Sequence, residues 1–245
     1  MEKNVVVPTA QPREKSAFSP MPNSRRVVMN QQRGTEDTLV LSYLALRNAV
    51  GIIGFALPFV LAFGKILLQG HGIQSSISGY YYTDMRNVFA GSLCAIGVFL
   101  MSCRGYDQRD EIAGIFACVF AIGVALFPTT PDMGVTPRDK LIGALHLSFA
   151  ALLFLTLAYF SLALFTKTAP DKTPTRRKLQ RNTVYRVCGY TILASIFLMF
   201  VVALPAVKTV VERLTPVFWL ESLAVVAFGV SWLTKGETIL KDHGI

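Results

Sequence analysis

Histidine is scarce in this chain: three in 245 residues, dispersed at His71, His146 and His243. A membrane hydrolase of the zinc type needs several histidines converging on one metal, so no metal site is predicted. The four cysteines, Cys94, Cys103, Cys118 and Cys188, form no CxxC pair. None falls in a loop assigned below to the outer side, where an oxidising compartment could pair them. They read as small apolar fillers, and no disulfide framework or redox centre follows. No cofactor is implied. The first 34 residues lack an apolar run, which excludes a secretory signal peptide in that stretch. Charge is also sparse, at 16% of residues, with 15 acids against 24 Lys and Arg.

Apolar sequence fills the space that charge leaves. The chain is 52% hydrophobic, with a mean hydropathy of +0.47, a balance that suits one helical bundle and leaves no room for a separate soluble domain. Six nearly uncharged stretches fall at about 48–68, 87–103, 112–127, 137–165, 187–207 and 216–233. A run of ~20 apolar residues covers the hydrocarbon core of a bilayer as a helix. Only a helix or a closed barrel satisfies its backbone there. The prediction is an all-α polytopic bundle of six transmembrane helices. Residues 1–34 precede it as a flexible basic tail, with a helical lead-in near Thr35, and 235–245 form a short C-terminus.

The placement of the +9 net charge sets the orientation and argues against nucleic acid as a partner. The tail carries six Lys or Arg, the connection after span two Arg104 and Arg109, the 166–186 loop seven, and the C-terminus Lys235 and Lys241. That is seventeen on one side, against six on the other: Lys65, Arg86, Arg138, Lys140, Lys208 and Arg213. Basic residues concentrate in cytoplasmic connections, so both termini are predicted to be cytoplasmic in a plasma membrane (a bacterial inner membrane). Anionic lipid is the predicted partner of the tail and the 166–186 loop, at ~1 kcal/mol per basic residue near the surface.

Local patterns refine the spans. Thr136-Pro137-Arg138-Asp139 predicts a capped helix start with proline in its first turn, and Thr215-Pro216 predicts a second. Ala113, Ala117, Ala121 and Ala125 recur every four residues, a small-residue face that lets helices approach closely in lipid. Gly91 and Ala95 suggest a matching face on span two. Trp219 and Trp232 near the two ends of span six read as interfacial anchors.

Three ionisable residues fall within the spans: Lys65, His146 and Glu221. Such groups are costly in lipid and usually face the bundle interior or a wet cavity. Lys65, near its helix end, can snorkel outward. His146 shares a helix face with Gly143 and Ala150, and Glu221 shares one with Ala224 and Ser231, opposite Trp219. The outward loops add Asp84, Arg86 and Asp132. Asp84, Arg86, Asp132, His146 and Glu221 therefore form a candidate polar pocket at the outer leaflet for a lipid head group or small amphiphile. Two alternatives stand beside it: a membrane hydrolase using His146 with a carboxylate, and a structural ion-pair network in a partner-binding bundle. No polar residues line the inner half of the spans, which disfavours a conducting pathway.

The run Ser76-Ile77-Ser78-Gly79-Tyr80-Tyr81-Tyr82-Thr83-Asp84-Met85-Arg86, the turn Arg104-Gly105-Tyr106-Asp107, Phe127-Pro128 and Leu145-His146 resemble a family of uncharacterised six-helix prokaryotic membrane proteins. That group is loosely similar to the DRAM-like membrane proteins. The resemblance extends from about Ser42 to Leu233. It implies the six-helix architecture and brings no established activity.

Overall fold

The computed structural model describes residues 23–70, 72–103, 107–168 and 175–240, with 23–40 and Glu212 described by backbone alone. The first part of the predicted tail, the Arg104-Gly105-Tyr106 turn, His71, His243 and the middle of the 166–186 loop lie outside the described residues. The chain divides into residues 1–40 and residues 41–245, and the contacts below all belong to the second unit.

The described residues form α-helices, a few short 3₁₀ or π turns, and no strand: α1 (Asn23–Gln69), α2 (Arg86–Ser102), α3 (Gln108–Leu126), α4 (Pro137–Tyr159), α5 (Arg176–Ala203), α6 (Pro205–Val211) and α7 (Pro216–Lys235). Four segments are long and apolar enough to cross a membrane: Leu41–Gln69, Pro137–Leu164, Arg176–Ala203 and Pro216–Lys235. The apolar α2 is shorter at 17 residues, or ~25 Å at 1.5 Å per residue. Charged Arg109, Asp110 and Glu111 occupy the start of α3, so its uncharged part begins at Ile112.

Side-chain chemistry at the helix starts explains several boundaries. Thr136 and Asp139 form the predicted capping box on α4: the Asp139 N–H donates to Thr136 Oγ1 at 3.2 Å, and the Thr136 N–H donates to Asp139 Oδ2 at 2.9 Å. Asp107 and Asp110 make the same box on α3. The predicted cap at Thr215 does not form. This residue takes a left-handed conformation (φ 46°, ψ 49°) and its side chain makes no cap bond, so α7 starts on Pro216 alone. Span five does not run on to Val207 as one helix. Leu204 is extended, because the ring of Pro205 disfavours α geometry in the residue before it, and the short α6 follows. Span four closes with one π turn at Phe160–Leu164.

Close packing follows the small residues. Ala113, Ala117, Ala121 and Ala125 are all buried. The partner face on α2 is Gly97 rather than the predicted Gly91: a Cβ on Gly97 would sit 3.2 Å from the Ala121 Cβ, whereas Gly91 faces open space. A second seam joins α1 to α7. A Cβ on Gly51 would sit 2.8 Å from the Leu233 backbone nitrogen, and one on Gly229 would sit 2.5 Å from the Phe55 nitrogen.

Trp219 is 60% exposed, as an anchor would be, but Trp232 is 1% exposed. The Trp232 indole packs among Phe160, Phe165 and Phe228, since packing at that end of the bundle outweighs any interfacial preference. The outer wall is apolar. Phe63, Leu147, Phe197 and Phe200 are between 63% and 69% exposed, a surface that water penalises and lipid accepts.

The helices run alternately between two ends. One end gathers residues 72–85 after α1, the Phe127 terminus of α3, and the starts of α4 and α7. It is tied by the Phe218 N–H to the Ser75 carbonyl at 3.0 Å and by the Tyr82 hydroxyl to the Thr129 carbonyl at 2.6 Å. The other end gathers Asp107, Lys167, the start of α5 and the end of α7. Lys167 there reaches Asp107 at 3.0 Å and Asp110 at 3.5 Å, and its hydrogen bond holds the Asp107 carboxyl below the usual carboxylate range.

Candidate functional site

The first of these ends carries four of the five sequence candidates at or near its surface loops and Glu221 just beneath them. After α1 the chain turns at Gly70 and Gly72, both at φ +86°, a backbone region open to glycine. Lys65 donates to the Gly72 carbonyl at 2.9 Å, closing the helix end. The chain then crosses the start of α7 and winds into a 3₁₀ turn at Ser78–Tyr82. Tyr80 is fully buried there, 6.2 Å from the Phe218 ring.

Glu221 fastens this loop. Its Oε2 accepts the Ile77 N–H at 2.5 Å, and its Oε1 lies 3.5 Å from Ser78 Oγ. Five residues into α7, the carboxylate caps the 3₁₀ turn of a segment 144 residues earlier in the chain. Ala224 and Ser231 continue the same helix face inward and are fully buried. Beneath the carboxylate lies a cavity of about 50 Å³ in the middle of the bundle, walled by Leu57, Phe89, Ile96, Leu153 and Phe228, with Ser78 and Glu221 as its polar rim.

His146 occupies a different position. It is 4% exposed, and its Nδ1 lies 2.6 Å from the Phe127 carbonyl, so the ring ties the end of α3 to α4. Gly143, one turn earlier, leaves room for Thr130: a Cβ there would sit 2.0 Å from the Thr130 hydroxyl. Asp84, Arg86 and Asp132 are exposed. The Arg86 guanidinium lies 4.1 Å over the Tyr81 ring and donates to its hydroxyl. Arg86 and Asp132 both lie within electrostatic reach of the Tyr82 phenol, whose pKa is raised by burial first and by Asp139 second.

Four of the five candidates thus fall into three groups, Glu221 with Ile77 and Ser78, His146 with Phe127, and Arg86 and Asp132 around Tyr82, while Asp84 is exposed and joins none of them. Among the described residues no hydrogen bond or ion pair joins any two of the five. Sequence reading missed the Ile77 N–H, which any residue could offer, and Tyr82, whose hydroxyl bridges the two loops. No cluster of three metal-ligating side chains occurs among the described residues. No family model, curated protein or solved structure matches the chain.

Proposed function

We propose that the chain is a six-pass integral membrane protein of the plasma membrane, with both termini cytoplasmic, that binds a small amphiphile beneath the loop fastened by Glu221. The observation behind this reading is the Glu221 carboxylate and Ser78 hydroxyl set at the rim of an otherwise apolar cavity at the bundle centre. An amphiphile has that shape: an apolar body for the cavity and a polar end for the rim. The seventeen-to-six excess of basic residues supports the orientation. The resemblance to uncharacterised six-helix prokaryotic proteins agrees with the architecture.

Orientation is testable by single-cysteine labelling in intact cells, on a background lacking the four native cysteines. A membrane-impermeant maleimide should label Met133→Cys, which is 88% exposed, and leave Thr175→Cys unlabelled until the membrane is opened. The reverse pattern would invert the topology.

Ligand binding is testable by native mass spectrometry of gently solubilised protein, wild type beside Glu221→Gln. The amide keeps an oxygen to accept the Ile77 N–H but removes the charge. A co-purifying amphiphile retained by the wild type and reduced in the variant, at unchanged expression, is the expected result. Equal retention would remove Glu221 from the site.

A further inference from the structure

Helices α3 and α4 meet tightly toward one end of the bundle and leave a groove toward the other. Near the loop end a Cβ on Gly123 would sit 2.5 Å from the Phe149 ring, and the Phe120 ring lies 6.4 Å from the same ring. Toward the end that carries Asp107 and Lys167, an open groove of about 430 Å³ runs between the two helices. Its α3 wall is Arg109, Ile112, Ala113, Phe116 and Phe120, which recur at the three- and four-residue intervals of one helix face. Its α4 wall is Leu152, Leu155, Thr156 and Tyr159, at the same intervals. Ala113 is buried at the bottom, while Ile112, Phe116, Leu152 and Leu155 stand about half exposed along the sides.

The polar groups of this groove are confined to its mouth. The Thr156 hydroxyl donates to the Leu152 carbonyl of its own helix at 2.7 Å, so the middle of the α4 wall is apolar in effect. Arg109 is the second residue of α3 and Tyr159 the last of α4, which puts both at the same end. Arg109 is exposed and, among the described residues, in no ion pair. Asp107 and Asp110 beside it face Lys167, and Glu111, two residues on, projects from another side of α3. From Arg109 to Phe120 the groove is ~16 Å long at 1.5 Å per residue. That is about half of a ~30 Å hydrocarbon core, the depth of one leaflet.

A crevice left empty forfeits the dispersion contacts of its walls, and one this long and narrow matches a single extended hydrocarbon chain. We infer that α3 and α4 hold one acyl chain of an anionic phospholipid in this groove, with the lipid phosphate against Arg109. The guanidinium offers a fork of donors that phosphate oxygens accept. An anionic head group adds no further cation beside Arg109, whereas a choline would, so charge selects the anionic lipid. The walls share no residue with the cavity beneath Glu221, so this is a second lipid contact and not the same one. It rests on the membrane-spanning reading above and is independent of what the Glu221 cavity holds.

The test uses the full chain in detergent with phosphatidylglycerol and phosphatidylcholine of the same acyl chains. In an equimolar mixture, native mass spectrometry of wild type should show phosphatidylglycerol in about fivefold excess. The excess should fall toward parity in Arg109→Gln and persist in Arg177→Gln, an exposed cation at the start of α5 outside the groove. Parity in wild type, or an equal fall in both variants, would overturn the site in favour of diffuse surface charge or none. The second readout needs no substitution: wild type is cross-linked to a phosphatidylglycerol carrying a diazirine midway along one acyl chain. Adducts should concentrate on residues 112–120 and 152–159. Adducts spread evenly over the outer wall, Phe197 and Phe200 included, would reduce the groove to ordinary lipid contact and overturn it. Adducts confined to the walls of the Glu221 cavity would overturn it too, while leaving the amphiphile reading of that cavity in place.

Discussion

Gly229→Val should lower the thermal stability of the detergent-solubilised protein more than any comparable change on the outer wall. A Cβ at this position would sit 2.5 Å from the Phe55 nitrogen and 2.8 Å from both the Phe55 Cα and the Gly51 carbonyl oxygen. All three are backbone atoms of α1, so no side chain can rotate away and the two helices must separate. Separation is costly because the seam is reciprocal: Gly51 faces Leu233 and Gly54 faces the Phe228 ring, so closely that a Cβ at either position would come within 2.8 Å of its neighbour. In lipid, where tails are as apolar as side chains, close backbone approach supplies much of the attraction between helices. Overpacking a filled interface costs ~1–3 kcal/mol, occasionally more, and backbone contacts put this case at the upper end. Gly91→Val is the control, since a Cβ there meets nothing within 4 Å. Equal melting of the two variants would show that α1 and α7 are not closely packed.

That seam was not legible in the sequence, while the alanine seam was, and the difference is physical. Ala113 to Ala125 repeat at the helix period within one segment, so the pattern announces its own face. Gly51, Gly54 and Gly229 lie on helices far apart in the chain, and only the fold shows that they meet. Thr136 could be read as a cap because its partner Asp139 is three residues away. Thr215 has no acid three residues on, since Phe218 stands there, and its cap did not form. Glu221 was recognisable as inward-facing from Ala224 and Ser231, both of which are buried. Its partner was not recognisable, because that partner is a backbone N–H. Trp232 was misread for a related reason: closeness to a span end does not reveal the aromatic rings that converge on it from the π turn after α4, from Phe165 just beyond it and from α7.

Those rings make Trp232→Ala the second substitution of large effect. The indole is 1% exposed and lies 5.7 Å from the Phe160 ring, 5.1 Å from Phe165 and 6.1 Å from Phe228. Truncating a buried Trp to Ala typically costs ~3–5 kcal/mol, through lost contacts and the cavity left behind. Trp219→Ala, at a position 60% exposed, should cost far less. Trp232→Phe separates ring volume from the indole N–H. Phenylalanine keeps most of the packing and removes Nε1, the buried donor without a partner, whose desolvation costs ~1–3 kcal/mol. The two effects oppose each other, so Trp232→Phe should melt close to wild type and well above Trp232→Ala. If Trp232→Phe instead loses nearly as much as Trp232→Ala, Nε1 has an acceptor in the purified protein.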